Sequence, residues 1–216
     1  MSLWIKICAN TSLEDAQFAA DCGANAVGFV FAPSPRRVTA EQVAAITPHL
    51  PTSLEKIGVF VDADFDEIAL TVETAGLTGV QLHWDAPPEL PAQLRKKFGN
   101  RLRILGVVHF DAGDSVLPGD PNIDVTLVDN KTAAAVGGTG KAFNWSLAAN
   151  THFQNAEAHE RLVVAGGLTP DNVAEAIATL HPWGVDVVSG VELAPGRKDP
   201  AKVRAFIASA RAGDRR

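Results

Sequence analysis

Lys6 and Cys8 stand two residues apart in "WIKICANT", residues 4–11, a stretch that otherwise reads as a buried strand ending at a helix start. Side chains alternate along a strand, so Lys6 and Cys8 share one face while Ile5 and Ile7 share the other. A cation beside a thiol favours the thiolate and lowers its pKa, which makes Cys8 a candidate base or nucleophile. The plain alternative is a small core cysteine, with Lys6 serving a buried carboxylate such as Asp186. Asp129 closes the apolar run "VTLVD". It could cap the next segment, or act as an acid whose proton is held by low polarity. Arg36, in "PSPRR", suits a bidentate grip on a carboxylate, or is a solvated surface charge. His83 and His109 close two further apolar runs and read first as satisfied rim histidines. Cys22 reads as mid-helix packing.

These groups need elements to hold them. Eight short β-branched runs recur: Trp4–Cys8, Ala26–Phe31, Lys56–Val61, Gly79–His83, Arg103–His109, Val125–Asp129, Arg161–Ala165 and Gly184–Ser189. Amphipathic segments lie between them, with apolar positions at spacings of three and four, as in Val173, Ala176, Ile177 and Leu180. Thr169-Pro170 and Asp199-Pro200 pair a capping side chain with proline at the first helical position, and Thr39 with Gln42 forms a capping box. Gly23, Gly76 and Gly99 mark helix ends. Strands alternating with helices imply a parallel sheet, and eight units imply closure. The expected fold is a single-domain α/β (βα)8 TIM barrel over residues 1–216. Its fifth βα unit is irregular, because "DAGDSVLPGDPN" reads as loop, and residues from about 211 to 216 are expected to fray.

In such a barrel the reactive end is the C-terminal end of the strands. Cys8, His83, His109 and Asp129 all fall there. So do "AGG" after strand seven and "SGV" after strand eight, where barrels of this kind hold phosphate. Gly166, Gly167, Ser189 and Gly190 therefore form a candidate anion cradle of backbone N–H groups. Taken singly, the glycines read equally well as turn residues. The chain has 216 residues, 46% hydrophobic and 20% charged, with a formal net charge of -6. That balance argues against a nucleic-acid or membrane-surface partner, whose affinity would come from clustered Lys and Arg. Two cysteines make no disulfide framework, and no signal peptide or membrane-length apolar run is visible, so a cytoplasmic setting is expected. No CxxC, HExxH or dense His/Cys cluster supports a metal.

"KIC", "GFVFAPSPR", "VQLH", "GGTGK", "AGGLTPDNV" and "VDVVSGVE.APG.KD" follow one another in an order that resembles the phosphoribosylanthranilate isomerase family. The resemblance runs from Lys6 to about Phe206. It implies a cofactor-free barrel enzyme of tryptophan biosynthesis that works on a small phosphorylated substrate. The implied reaction converts N-(5-phosphoribosyl)anthranilate to 1-(2-carboxyphenylamino)-1-deoxyribulose 5-phosphate by an aldose–ketose Amadori rearrangement. It also assigns roles: Cys8 as general base, Asp129 as general acid, Arg36 on the anthranilate, and Gly166, Gly167, Ser189 and Gly190 on the phosphate. His83 joins the substrate-binding set, and a monomer or homodimer is expected. Three positions depart from the family pattern. Ala9 and Trp84 stand where glycine is usual, and Asn144 where aspartate is usual. Competing readings are another phosphate-binding barrel, such as an epimerase or an indole-glycerol-phosphate-synthase-like enzyme, and a non-catalytic sugar-phosphate-binding barrel. Against the synthase reading, Lys6 is the one lysine expected inside the barrel.

Overall fold

The computed structural model describes residues 2–83, 87–110, 120–130 and 161–214. Eight parallel strands close into a barrel: β1 Trp4–Ile7, β2 Ala26–Val30, β3 Glu55–Phe60, β4 Gly79–His83, β5 Arg103–Phe110, β6 Val125–Asn130, β7 Leu162–Val164 and β8 Gly184–Val187. Strand order follows chain order. The seam closes where β1 pairs with β8, Trp4 opposite Gly184 and Lys6 opposite Asp186. Each expected strand is present, with bounds shifted by a residue or two.

Helices α1 Leu13–Asp21, α2 Ala40–Ala44, α3 Phe65–Ala75, α4 Leu90–Phe98, α5 Val173–Leu180 and α6 Pro200–Gly213 pack outside. Their starts follow the chemistry of the preceding residue. Ser12, Asp64 and Asp199 each accept a hydrogen bond from a first-turn N–H, and Thr39 and Gln42 complete a reciprocal box. Gly76 ends α3 in the left-handed conformation, its N–H donating to the Val72 carbonyl. Thr169-Pro170 differs from expectation. The Asn172 side chain accepts from Thr169 N–H, Thr169 Oγ1 accepts from Asp171 N–H, and the helix begins three residues beyond the proline.

Alternation along the strands divides the core. Ile5, Ile7, Val27, Phe29, Val185 and Val187 face the helices in one large apolar cluster. Trp4, Ala26, Ile57, Leu105, Leu127 and Val163 face inward and fill the barrel. The Trp4 and Trp183 rings stack at 5.3 Å, with the Arg103 and Arg161 guanidiniums over Trp183. Beyond β8 the chain does not simply loop into α6. Glu192–Ala194 (β9) and Arg197–Lys198 (β10) form a small antiparallel hairpin.

The C-terminal helix continues past 211, to Gly213. Arg211 donates to the carbonyls of Leu3 and Gly23 and to Asn25 Oδ1, while Asp214 accepts from Leu3 N–H at 2.8 Å. Those bonds tie its last turn to the strand that opens the barrel. Of the irregular fifth unit, residues 111–119 lie outside the described residues, and Asp120–Asn122 form a turn in which Asp120 Oδ1 accepts from the Asn122 backbone. Trp84, Asn144 and the whole "GGTGK" stretch also lie outside the described residues. No helix among the described residues is long and apolar enough to cross a membrane.

Candidate active site

Cys8 follows directly on β1, its N–H donating to the Val187 carbonyl so that the β1–β8 pairing extends one residue past the strand. It is 3% exposed. Room for its sulfur comes from β2, where a Cβ on Gly28 would stand 2.4 Å from Sγ and 3.0 Å from Lys6 Cε. A side chain there would collide with the sulfur and crowd the lysine. The turn after the thiol is tight. Ala9 has φ 61°, in the small left-handed region that alanine enters at a cost. Asn10, fully buried, holds that turn by donating from Nδ2 to the carbonyls of Ile7 and Gly28.

Lys6 points into the barrel as alternation requires. Its ammonium donates to Gln81 Oε1 at 2.7 Å and to Asp186 Oδ1 at 3.1 Å, with no exposed surface. Both sequence readings of Lys6 therefore hold together: it neighbours the thiol and also serves Asp186. Lys6 acts on the thiol in the expected direction, yet the net shift is upward. Burial pushes Cys8 up, the Lys6 charge pulls it down, Asp186 pushes it up again, and burial prevails. Burial also disfavours the Lys6 ammonium, but Asp186 and Cys8 outweigh that and its pKa rises.

Arg36 sits in the β2–α2 connection, and its fork is already engaged. Nε donates to Glu192 Oε1 at 2.8 Å and Nη2 to Oε2 at 2.6 Å. Glu192, 7% exposed, also accepts from Gly196 N–H at 3.2 Å, and Lys198 Nζ lies 3.5 Å away. Burial raises the Glu192 carboxyl, yet the bonds from Arg36 and the Lys198 charge outweigh it and hold the group below its ordinary range. Arg36 is thereby kept charged and fixed in direction.

The remaining candidates gather at the same end. Asp129 is the penultimate residue of β6 and, by alternation, shares the inward face of Val125 and Leu127. Counted around the barrel, β6 is three strands from β1 one way and five the other. Half-buried His83 ends β4. His109 pairs with Asp129 in backbone register, and its side chain lies outside the described residues. Gly166 and Gly167 follow β7 with φ of 83° and 69°, so the turn needs glycine twice. Ser189–Val191 form a 3-10 turn after β8. There a Cβ on Gly190 would stand 1.9 Å from the Leu168 carbonyl oxygen, which shows how closely the two glycine turns pack. Cys22 caps the C-terminal end of α1 rather than lying within it.

Sequence reasoning passed over Glu192, Lys198, Gly28 and Asn10. Lys198 is 3% exposed, so Lys6 is not the sole buried lysine of this region. Burial lowers its pKa while Glu192 and Cys8 raise it less. A signal was present: "ELAPGRK" places an acid and a base on either side of Pro-Gly, a hairpin pattern with facing charges.

A closed parallel eight-stranded barrel with ionisable groups and glycine turns at the strand ends defines a TIM-barrel enzyme. Comparison with known proteins narrows the class. The family model described as N-(5'phosphoribosyl)anthranilate (PRA) isomerase matches residues 5–209. N-(5'-phosphoribosyl)anthranilate isomerase of Pelobacter propionicus is 44% identical over 204 residues, 94% of this chain and 93% of the relative. The crystal structure of phosphoribosyl anthranilate isomerase from Thermotoga maritima superposes with TM-score 0.81 at 35% identity, covering 97% of this chain and 99% of that one. Another crystal structure, of the isomerase in complex with reduced 1-(o-carboxyphenylamino)-1-deoxyribulose 5-phosphate, gives TM-score 0.77 at 32% identity, with 97% and 99% covered. The chain belongs to the N-(5'-phosphoribosyl)anthranilate isomerase family.

Proposed function

We propose that Cys8 and Asp129 are the base and acid of the Amadori rearrangement, an aldose–ketose isomerisation within tryptophan biosynthesis. Asp129 protonates the ribose ring oxygen and the ring opens to a protonated Schiff base. The Cys8 thiolate then takes the proton from C2, leaving an enol-amine that tautomerises to the ketone. C1 is reduced and C2 oxidised within one molecule, so the step balances without an outside electron carrier. Arg36 receives the anthranilate carboxylate on the part of its guanidinium not engaged by Glu192. His83 lines the sugar, and Gly166, Gly167, Ser189 and Gly190 cradle the phosphate. Residues 1–216 act as one cofactor-free barrel domain in the cytoplasm, as a monomer or homodimer.

The observation that carries this reading is that the thiol, just past β1, and the carboxyl, on β6, stand three strands apart at one end of one barrel. An acid and a base for opposite sides of a sugar need that arrangement. The test is to generate phosphoribosylanthranilate in situ and follow its fluorescence. Cys8→Ser and Asp129→Asn should each slow turnover by about a hundred- to ten-thousand-fold. Turnover that survives both substitutions removes the mechanism. Because the base acts deprotonated and burial raises its pKa, kcat/KM should still be climbing with pH on the alkaline side of neutrality. A profile already flat below neutrality would contradict Cys8 as the base. Rescue of a tryptophan auxotroph lacking the isomerase tests the same function in cells.

A further inference from the structure

We propose that Lys6 is the positioning residue of the Cys8 thiolate: its ammonium, held by Gln81 and Asp186, is the charge against which the deprotonated sulfur is held. The inference rests on the reading of Cys8 as the base and adds the group that lets a buried sulfur serve there.

Three observations carry it. The first is burial with satisfaction. An unpaired ammonium in a dry interior would shed its proton, but Lys6 spends two of its three donors on Gln81 Oε1 and Asp186 Oδ1. The second is placement. Lys6 Cε and Cys8 Sγ both close on the same point above Gly28, so an absent side chain on β2 lets the two groups share one space. The third is that a stability role alone does not account for the pair. A buried ion pair of this kind is commonly no better than well-packed apolar residues, and the described layer of the barrel interior beside it, from Trp4 to Val163, is apolar.

The charge balance around the sulfur is small in number and mixed in sign. Lys6 stands on β1 itself, Asp186 across the seam on β8, and Lys198 on β10. Arg36 reaches over from the β2–α2 connection, its charge offset by Glu192. Lys198 and Arg36 both share Glu192, so Lys6 is the cation whose field at the sulfur is set mainly by a single carboxylate and a neutral amide. While Lys6 stays charged, removing Lys6 and removing Asp186 act on the thiol in opposite directions.

That opposition is the test. The chain has no tyrosine and two cysteines, so in a Cys22→Ala background the ultraviolet absorbance of thiolate reports Cys8 without tyrosinate overlap. Lys6→Met should move the Cys8 midpoint to higher pH, reducing the thiolate fraction at neutral pH by about tenfold or more. Asp186→Asn should move it to lower pH. The acid limb of kcat/KM for phosphoribosylanthranilate should follow both shifts, and Lys6→Arg should recover part of the loss. Where Lys6→Met fails to fold, the charge-balanced Lys6→Met/Asp186→Asn variant should still show a smaller alkaline shift. A midpoint that does not move in Lys6→Met, or moves to lower pH there, overturns the proposal. A midpoint that moves while the kcat/KM limb stays still supports the charge coupling and overturns Cys8 as the base instead.

Discussion

Ala9 follows the thiol with a backbone conformation suited to glycine, and its methyl is fully buried. The left-handed region costs an alanine about 1–2 kcal/mol, and a glycine gives back about 0.4–1 kcal/mol of that in unfolded-chain entropy. Ala9→Gly should therefore raise the unfolding free energy by up to about 1.5 kcal/mol, read by urea denaturation. Stability that falls instead would mean the Ala9 methyl contributes more by packing than its backbone loses. The same neighbourhood shows what a sequence does and does not disclose. The shared face of Lys6 and Cys8 was legible from alternation, and so was Asp186 as a partner. The direction of the Cys8 pKa was not, because the distance between two charges can be guessed from spacing whereas desolvation depends on what the rest of the barrel packs around them.

Between elements, the Arg36–Glu192 clamp joins the β2–α2 connection to the hairpin after β8. Glu192→Gln removes the charge that aims Arg36, a charged hydrogen bond worth about 1.5–3 kcal/mol. KM should rise by about tenfold or more with kcat changed less. An unchanged KM would show that Arg36 finds its direction without help. Acid should weaken the clamp as well. The Glu192 pKa is lowered by folding, so its contribution to stability is complete above the unfolded value and is lost as pH falls through the folded one. In the Glu192→Gln variant this part of the acid sensitivity should vanish from pH-dependent unfolding curves. The clamp escaped the sequence reading because its partners lie 156 residues apart. The hairpin strands, of three and two residues, are too short to show a period. The eight barrel strands, by contrast, were legible as β-branched runs bounded by turn chemistry, and Thr39, Asp199 and Gly76 cap their helices as read.

Over the whole molecule, the barrel interior changes character along its axis. Trp4, Ala26, Ile57, Leu105, Leu127 and Val163 form a dry lower filling, and Lys6, Gln81 and Asp186 make a polar layer above it. Ile57→Val, fully buried in that filling, should cost about 0.5–1.5 kcal/mol in unfolding free energy and leave kcat/KM within error. A changed kcat/KM would show that packing defects travel upward to the rim. The polar layer thus works as a bulkhead. Below it, hydrophobic residues can be traded for thermal robustness. Above it, loops can drift toward new ligands, and neither compartment need register what the other has gained.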